Sequence, residues 1–189
     1  MAEVTENTEN SLGIPKAEFV EDVGKYMELQ DKDATKLIRK LDEDHNKYRF
    51  MEMNLVQKKK KYKKQIPDIK ETLNIISLMK LKKKNEEDMK TNFPVSDQVL
   101  MEALVKPTDR ICLWLGANVM LEYPISEAED LLSKNLQTAL KNLEQLDKDL
   151  IFLRDQITTT EVNMARIYNW DVKRRQAEKN TAAAAVTAD

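Results

Sequence analysis

The pattern of apolar positions along the chain is dominated by one helical repeat in its C-terminal half. Apolar residues recur there at alternating steps of four and three, with a single polar member: Leu132, Leu136, Ala139, Leu143, Leu146, Leu150, Leu153, Ile157, Thr160, Met164 and Ile167. A repeat of this kind, held over roughly five heptads, predicts a coiled coil. Because a stripe this narrow cannot be buried by its own helix, a second long helix must lie along it.

A second repeat of the same kind lies in the N-terminal half. It has two parts, and the lysine-rich run Lys58–Lys64 joins them: Leu37, Leu41, Asp44, Tyr48, Met51 and Leu55, then Tyr62, Ile66, Ile69, Leu73 and Ile76. An extra step of four between the two parts predicts a stutter. Pro67 is expected to kink or loosen this helix, at a cost of about 3 kcal/mol. Phe93 and Pro94 predict that the helix ends near residue 91.

Between the two repeats the period changes to a two-residue alternation, from about residue 95 to residue 123. This alternation predicts three or four short strands in hairpins. Turn-forming residues separate the strands at 106–109 and 116–118. Ser126 and Glu129 then predict the N-cap and the capping box of the second long helix.

These elements predict a mainly α fold, a long antiparallel two-helix coiled coil with β-hairpins inserted at its closed end. The predicted boundaries are a disordered N-terminus at 1–12, a short amphipathic segment at 13–30, the first coiled-coil helix at 31–91, the hairpin region at 92–125, the second coiled-coil helix at 126–176 and a disordered tail at 177–189. Within the amphipathic segment we expect a helix from about 15 to 28. It either docks on another element or remains a mobile arm, and the sequence favours neither.

Composition supports long helices and argues against an enzyme. The 189 residues include 34% charged residues but only 3 glycines, too few for the tight turns of an α/β enzyme. His45 is the only histidine, Cys112 is the only cysteine, and there is no glycine-rich phosphate loop, so we expect no catalysis, cofactor or metal. The sequence predicts no membrane span or signal peptide, and a lone cysteine favours an intracellular location.

Two sets of apolar residues are candidate binding surfaces. Exposed hairpin edges are aggregation-prone unless another chain covers them, which predicts subunit assembly through Val99, Met101, Val105, Ile111, Leu113, Trp114, Leu115, Val119, Leu121 and Tyr123. At the open end of the coiled coil, the outermost seam residues should be incompletely covered. We expect them to contact other apolar surfaces; they are Leu37, Ile38, Leu41, Met164, Ile167, Tyr168, Trp170 and Val172.

Several stretches of the chain resemble the prefoldin family, and within it the α-class subunits that are also described as von Hippel-Lindau-binding proteins. The residues that carry the resemblance are Gly13–Pro15, Phe19–Val23, Gln65–Pro67, Cys112–Tyr123, Phe152–Gln156, Thr158–Arg166 and Tyr168–Arg175. These blocks lie both inside and outside the heptad positions, and are therefore more specific than a coiled-coil pattern alone.

The resemblance implies a hexamer of two α-class and four β-class subunits, in which an α-class subunit contributes two β-hairpins. All the hairpins would form a double-barrel platform that carries six coiled coils. Such a complex captures unfolded actin and tubulin at the coiled-coil tips, without nucleotide, and passes them to the cytosolic chaperonin. The cytoplasm is the expected location, with the nucleus as a second one and the von Hippel-Lindau protein as a further partner.

Three alternatives stay open at this stage. The chain could be a coiled-coil scaffold without chaperone activity, although that class needs no β insert. Lys58–Lys64 could bind nucleic acid, but such a run is more often a solvated helix face, and we expect no nucleic-acid partner. Tyr168 and Trp170 could contact clients or pack against the first helix near Leu37 or Leu41, whereas Trp114 is more consistent with platform packing.

Overall fold

The computed structural model describes residues 13–29 and 33–186, and it confirms a mainly α fold with long helices and two small antiparallel hairpins. The elements are α1 (Val23–Leu29), α2 (Ala34–Lys84), β1 (Met89–Ser96), β2 (Val99–Val105), β3 (Arg110–Gly116), β4 (Val119–Pro124) and α3 (Ile125–Val186). The described chain forms two compact units. The helical unit contains residues up to Lys59 and from Gln145 onward, and the hairpin unit contains Lys60–Glu144.

In the helical unit α2 and α3 run antiparallel. His45 Nε2 lies 2.9 Å from Glu161 Oε1, whereas Lys59 Nζ, later in α2, lies 2.5 Å from Asp147 Oδ1, earlier in α3. Lys59 occupies the extra step between the two parts of the α2 repeat, so the stutter places an ion pair where an apolar contact would otherwise lie. The predicted α3 seam is confirmed in both units, because all eleven of its positions are buried or half-buried, from Leu132 in the hairpin unit to Ile167 in the helical unit.

The hairpin unit has its own small core where the helices meet the second hairpin. Ile76 of α2 packs with Ile125 and Ala128 of α3, and Ile111, Leu113 and Tyr123 pack against this cluster from β3 and β4. Tyr62 and Asn142 join the two helices by a hydrogen bond of 3.2 Å between the amide nitrogen and the hydroxyl oxygen. The half-buried positions of β3 and β4 are therefore those that face the helices.

The four strands form two separate two-stranded sheets, β1–β2 and β3–β4. The sequence predicts strand β1 only in part. The predicted first helix includes residues 89–91, and Pro94 is interpreted as a residue that ends this helix. In the structure Met89 pairs with Val105 and Phe93 with Met101, and the register shifts between Pro94 and Ser96. A proline is compatible with an edge strand near a bulge, where the ladder does not need its N–H group.

Helix α2 ends at Lys84, earlier than the predicted end near residue 91. Glu86 has a positive φ of 54°, and the N–H groups of Glu86 and Glu87 donate to the carbonyl oxygens of Lys83 (3.2 Å) and Lys82 (3.0 Å). This is a Schellman C-cap. It escaped prediction because its left-handed position is occupied by glutamate rather than glycine or asparagine. Inside α2 the helix continues through Pro67.

Both ends of α3 differ from the prediction. The helix begins at Ile125, whose N–H donates to the carbonyl oxygen of Asp109 at 2.8 Å, and Glu129 pairs with the Lys80 ammonium group rather than capping the helix with Ser126. At its other end α3 continues to Val186 instead of ending near residue 176, since alanine is the strongest helix former. The predicted disorder at 1–12 and at 187–189 lies outside the described residues.

The amphipathic segment is helical only in its second half. Helix α1 begins at Val23, not near residue 15, and Asp22 caps it by accepting a hydrogen bond from the Lys25 N–H at 3.2 Å. Asp33 caps α2 in the same way through the Lys36 N–H at 3.0 Å. No helix within residues 13–29 or 33–186 is long and apolar enough to cross a membrane.

Candidate functional site

The hairpin surface consists of the apolar side chains that the four strands leave uncovered. Of the predicted assembly residues, four are half-buried, namely Val105, Ile111, Leu113 and Tyr123, and six are exposed, namely Val99, Met101, Trp114, Leu115, Val119 and Leu121. The side chain of Trp114 is 64% exposed. The structure adds five exposed residues that lie outside the predicted assembly set: Phe93, Val95, Leu100, Leu104 and Met120.

The outer edges of both hairpins, and the apolar side chains that the helices leave uncovered, are available for contact. Leu113 pairs with Leu121 and Trp114 with Met120, on opposite faces of the β3–β4 ladder. Since each sheet has two strands, every strand leaves one row of backbone N–H and C=O groups without a ladder partner. A surface of this composition is suited to association with other β elements.

Polar groups on the hairpins help to set their register rather than cover them. Lys90 Nζ lies 3.0 Å from Glu102 Oε1, and Arg110 Nε lies 3.2 Å from Glu122 Oε2. All four side chains are more than half exposed, so each pair contributes at most about 1 kcal/mol. The exposed apolar side chains of the strands therefore dominate the hairpin surface.

In the helical unit a buried cluster lies where exposed seam ends were expected. The Met27 cluster contains Met27, Ala34, Leu37 and Ile167, with Val23, Tyr26, Ile38, Leu41 and Trp170 packed against it. Met27 and Ile167 are both 0% exposed. The expectation that Leu37 and Ile167 are incompletely covered is therefore wrong, because α1 docks on them.

The other members of the predicted client-binding set differ in exposure. Met164 and Val172 are half-buried, as are Ile38 and Leu41, whereas Tyr168 is 57% exposed. Trp170 packs against the Met27 cluster and lies under the guanidinium group of Arg174, 5.6 Å from the ring centroid. Of the two aromatic candidates, Tyr168 is the one available for contact.

The docking of the N-terminal segment depends on buried amide side chains that sequence reasoning missed. The N–H of Ala17 donates to Gln156 Oε1 at 2.7 Å, and the N–H of Val20 donates to Asn163 Oδ1 at 3.0 Å. Asn163 Nδ2 in turn donates to the Glu18 carbonyl oxygen at 2.7 Å. The available signal was the heptad spacing of Gln156 and Asn163 beside the apolar seam, which marks polar positions turned toward a neighbour.

Two further side chains bind the backbone of the same segment. The Tyr48 hydroxyl donates to the Pro15 carbonyl oxygen at 2.8 Å, and burial raises the pKa of that hydroxyl. Arg166 donates to the Glu21 carbonyl oxygen at 2.7 Å, and its guanidinium group lies 5.0 Å from the centroid of the Phe19 ring. The segment is therefore docked rather than free.

Two carboxylates elsewhere in the helical unit have basic side chains as partners. A hydrogen bond from His45, with Arg49 beside it, lowers the pKa of Glu161. Hydrogen bonds from Arg174, then Arg175, lower the pKa of the Asp171 carboxyl, whose side chain is almost fully buried. Basic side chains contact both carboxylates, and these contacts account for the lowered pKa values.

The remaining sequence candidates carry no visible chemistry. Lys59 is paired with Asp147, while the other lysines of the run, Lys58, Lys60, Lys61, Lys63 and Lys64, are exposed on α2. Cys112 is an exposed free thiol on β3. Within the described part of the chain no group of three or more His, Cys, Asp or Glu residues could hold a metal ion.

Comparison with known proteins identifies relatives of the chain. A family profile described as "Prefoldin subunit" matches residues 48–170. The human protein called prefoldin subunit 3 is 57% identical over 171 residues, which are 90% of this chain and 87% of that protein. The Drosophila melanogaster protein of the same name is 47% identical over 184 residues, 97% of this chain and 93% of that protein.

A solved structure is also similar. It is the filamentous prefoldin of Methanocaldococcus jannaschii, determined by cryo-electron microscopy. The match covers 60% of this chain and 91% of the archaeal chain, at 18% sequence identity and with a TM-score of 0.48.

Proposed function

The chain belongs to the prefoldin family of chaperones, and from this we propose that it is an α-class subunit of a hexamer of two α-class and four β-class subunits. The hexamer holds unfolded proteins such as actin and tubulin without using ATP, and it transfers them to the cytosolic chaperonin. The cytoplasm, and secondarily the nucleus, is where we place this activity.

The observation that carries the proposal is the hairpin surface. A monomer would leave eleven large apolar side chains of the four strands open to water, among them Trp114 and Leu100, which is 67% exposed. Contiguous apolar surface of this kind marks an interface. Hairpins of two strands are also marginally stable alone, so strands from neighbouring subunits would complete both the sheets and their apolar cover.

The test of assembly uses the chain purified from its own cells with an affinity tag. Native mass spectrometry should detect one complex containing six subunits. We expect Leu115→Asp and Leu121→Asp to abolish this complex while helicity persists, because each places a charge in an apolar interface. Gln98→Asp, at the exposed turn between β1 and β2, is the matched control and should assemble normally.

Assembly of the Asp variants at the wild-type level would show that the hairpin surface is not part of the subunit interface. A monomer or homodimer as the main wild-type species would instead support the coiled-coil scaffold. Chaperone activity is tested separately, by whether the assembled complex suppresses aggregation of unfolded actin without ATP and releases it to purified chaperonin.

A further inference from the structure

The segment that precedes α1 is held mainly through its backbone. Residues 13–22 are not helical, and Gln156 and Asn163 bind the main-chain N–H and C=O groups of residues 17, 18 and 20. Tyr48 and Arg166 bind two more carbonyl oxygens, those of residues 15 and 21. Because every residue except proline has the same backbone groups, these contacts do not depend on the side chains of the bound segment.

The spacing of the two amides matches the repeat of an extended chain. Gln156 and Asn163 are seven residues apart on α3, a distance of about 10.5 Å along a helix. Ala17 and Val20, whose N–H groups they bind, are three residues apart, a distance of about 10 Å in an extended chain. Two amides at heptad spacing on a helix can thus accept from two N–H groups that are three residues apart in an extended polypeptide.

The apolar contacts of the segment show which side chains the groove accepts. Ile14 and Val20 are buried. Between the segment and α2 lies an open cleft of about 540 Å³, lined by Leu41, Tyr48 and Met51 together with charged side chains such as Lys40 and Asp44. The segment therefore does not fill the space beside it.

We propose that the groove formed by Tyr48, Gln156, Asn163 and Arg166 is a binding site for extended polypeptide, which the chain's own residues 13–22 occupy in the resting state. An extended apolar stretch of an unfolded protein binds there when the segment leaves. The N-terminal segment is thus an internal competitor of the client. This inference rests on the proposed function, the holding of unfolded proteins. It assigns to that activity a specific groove, in addition to the exposed apolar surface.

The first test separates release of the segment from loss of the groove, in complexes that assemble normally. Val20→Asp places a charge at a buried position and should release the segment while leaving the groove intact. The double variant Gln156→Leu with Asn163→Leu should release the segment and also remove the backbone-binding amides. Lys16→Gln, at an exposed position of the segment, is the matched control.

The measured quantity is the affinity of each assembled complex for a fluorescent, permanently unfolded apolar polypeptide. We expect Val20→Asp to raise the affinity at least fivefold, the double leucine variant to leave it at or below the wild-type value, and Lys16→Gln to leave it unchanged. Equal increases in both release variants would show that uncovering the Met27 cluster explains capture, and would overturn the proposal. An unchanged or lower affinity for Val20→Asp would also overturn it.

A second test examines recognition of the backbone itself. A synthetic peptide with the sequence of residues 13–22 should bind the Val20→Asp complex at least tenfold more tightly than the wild-type complex, where the tethered segment competes at high effective concentration. N-methylation at the position of Val20 removes the N–H that Asn163 accepts, and should weaken binding at least tenfold. N-methylation at the position of Phe19 is the control.

Equal binding of the two methylated peptides would refute backbone recognition. Native mass spectrometry on the same samples reports whether the hexamer has formed. A failure of assembly, which would count against the proposed function, is thereby distinguished from a failure of the groove.

Discussion

Truncation of Ile167 should destabilise the docking of α1 without affecting the hairpin unit. Ile167 is fully buried in the Met27 cluster, where it packs with Met27, Ala34 and Leu37. The sequence alone suggested that this residue is an exposed client contact. The two interpretations predict different outcomes for Ile167→Ala, namely a loss of stability or a loss of client affinity.

The magnitude follows from burial. Ile167→Ala removes three carbon atoms, each worth about 0.8 kcal/mol when buried, and leaves a cavity that adds a further cost. We therefore expect a loss of about 3 kcal/mol in the local free energy of opening. Since about 1.4 kcal/mol corresponds to a factor of ten, opening should become roughly 100-fold more frequent.

Hydrogen exchange of the assembled complex, followed by mass spectrometry, measures this opening. Amides of α1 and of the first turns of α2 should exchange faster in Ile167→Ala, while amides of the hairpin unit should not change. The matched control is Tyr168→Ala, because the neighbouring Tyr168 side chain is more than half exposed. This substitution should change local stability by no more than about 0.5 kcal/mol.

Two results would contradict the reasoning. Unchanged exchange in α1 would mean that α1 does not cover Ile167 in solution. A loss of client affinity in Ile167→Ala with no change in exchange would instead restore Ile167 as a direct client contact.

Three further predictions concern single sites. Pro67→Ala should restore a helical hydrogen bond to the Lys63 carbonyl and raise the melting temperature, by a stabilisation of up to about 3 kcal/mol; a lower melting temperature would show that the proline is required. Glu86→Gly should stabilise by about 1 kcal/mol or less in chemical denaturation, because glycine accepts the positive φ at little cost; a clear loss would contradict the cap. Arg174→Gln should raise the lowered pKa of Asp171 toward its ordinary value, as measured by carbon-13 titration. Because a lowered carboxyl pKa contributes stability above the unfolded-state pKa, the stability difference should persist at neutral pH and vanish as the pH falls through the folded pKa. A pKa of Asp171 that does not move would exclude Arg174 as the cause.

The long-range pattern of the fold was predictable because a heptad repeat must bury its apolar stripe against another helix. Every predicted position from Leu132 to Ile167 is buried or half-buried, and the alternation around Leu113 and Leu121 identified a hairpin that pairs these two residues. Local stops were less predictable. The left-handed cap at Glu86 and the strand that contains Pro94 use residues that ordinarily signal other structures.

The candidate sites were predictable to different degrees. Exposure of the hairpin surface follows from two-stranded sheets in which the helices cover only a few apolar side chains, such as Ile111 and Leu113. The buried state of Leu37 and Ile167 does not follow from their heptad positions, because it depends on where α1 docks. The roles of Gln156 and Asn163 likewise depend on a partner about 140 residues away in sequence.

The sequence by itself determined where the two long helices and the hairpin region lie and which stripe of each long helix is apolar, because periodicity is a local property of the chain. Tertiary structure alone decided what covers each stripe. It placed α1 over Leu37 and Ile167, directed the amides of Gln156 and Asn163 to the backbone of residues 17–20, and left the hairpins open. Docking depends on contacts between residues far apart in sequence, and no repeat within either segment encodes that pairing.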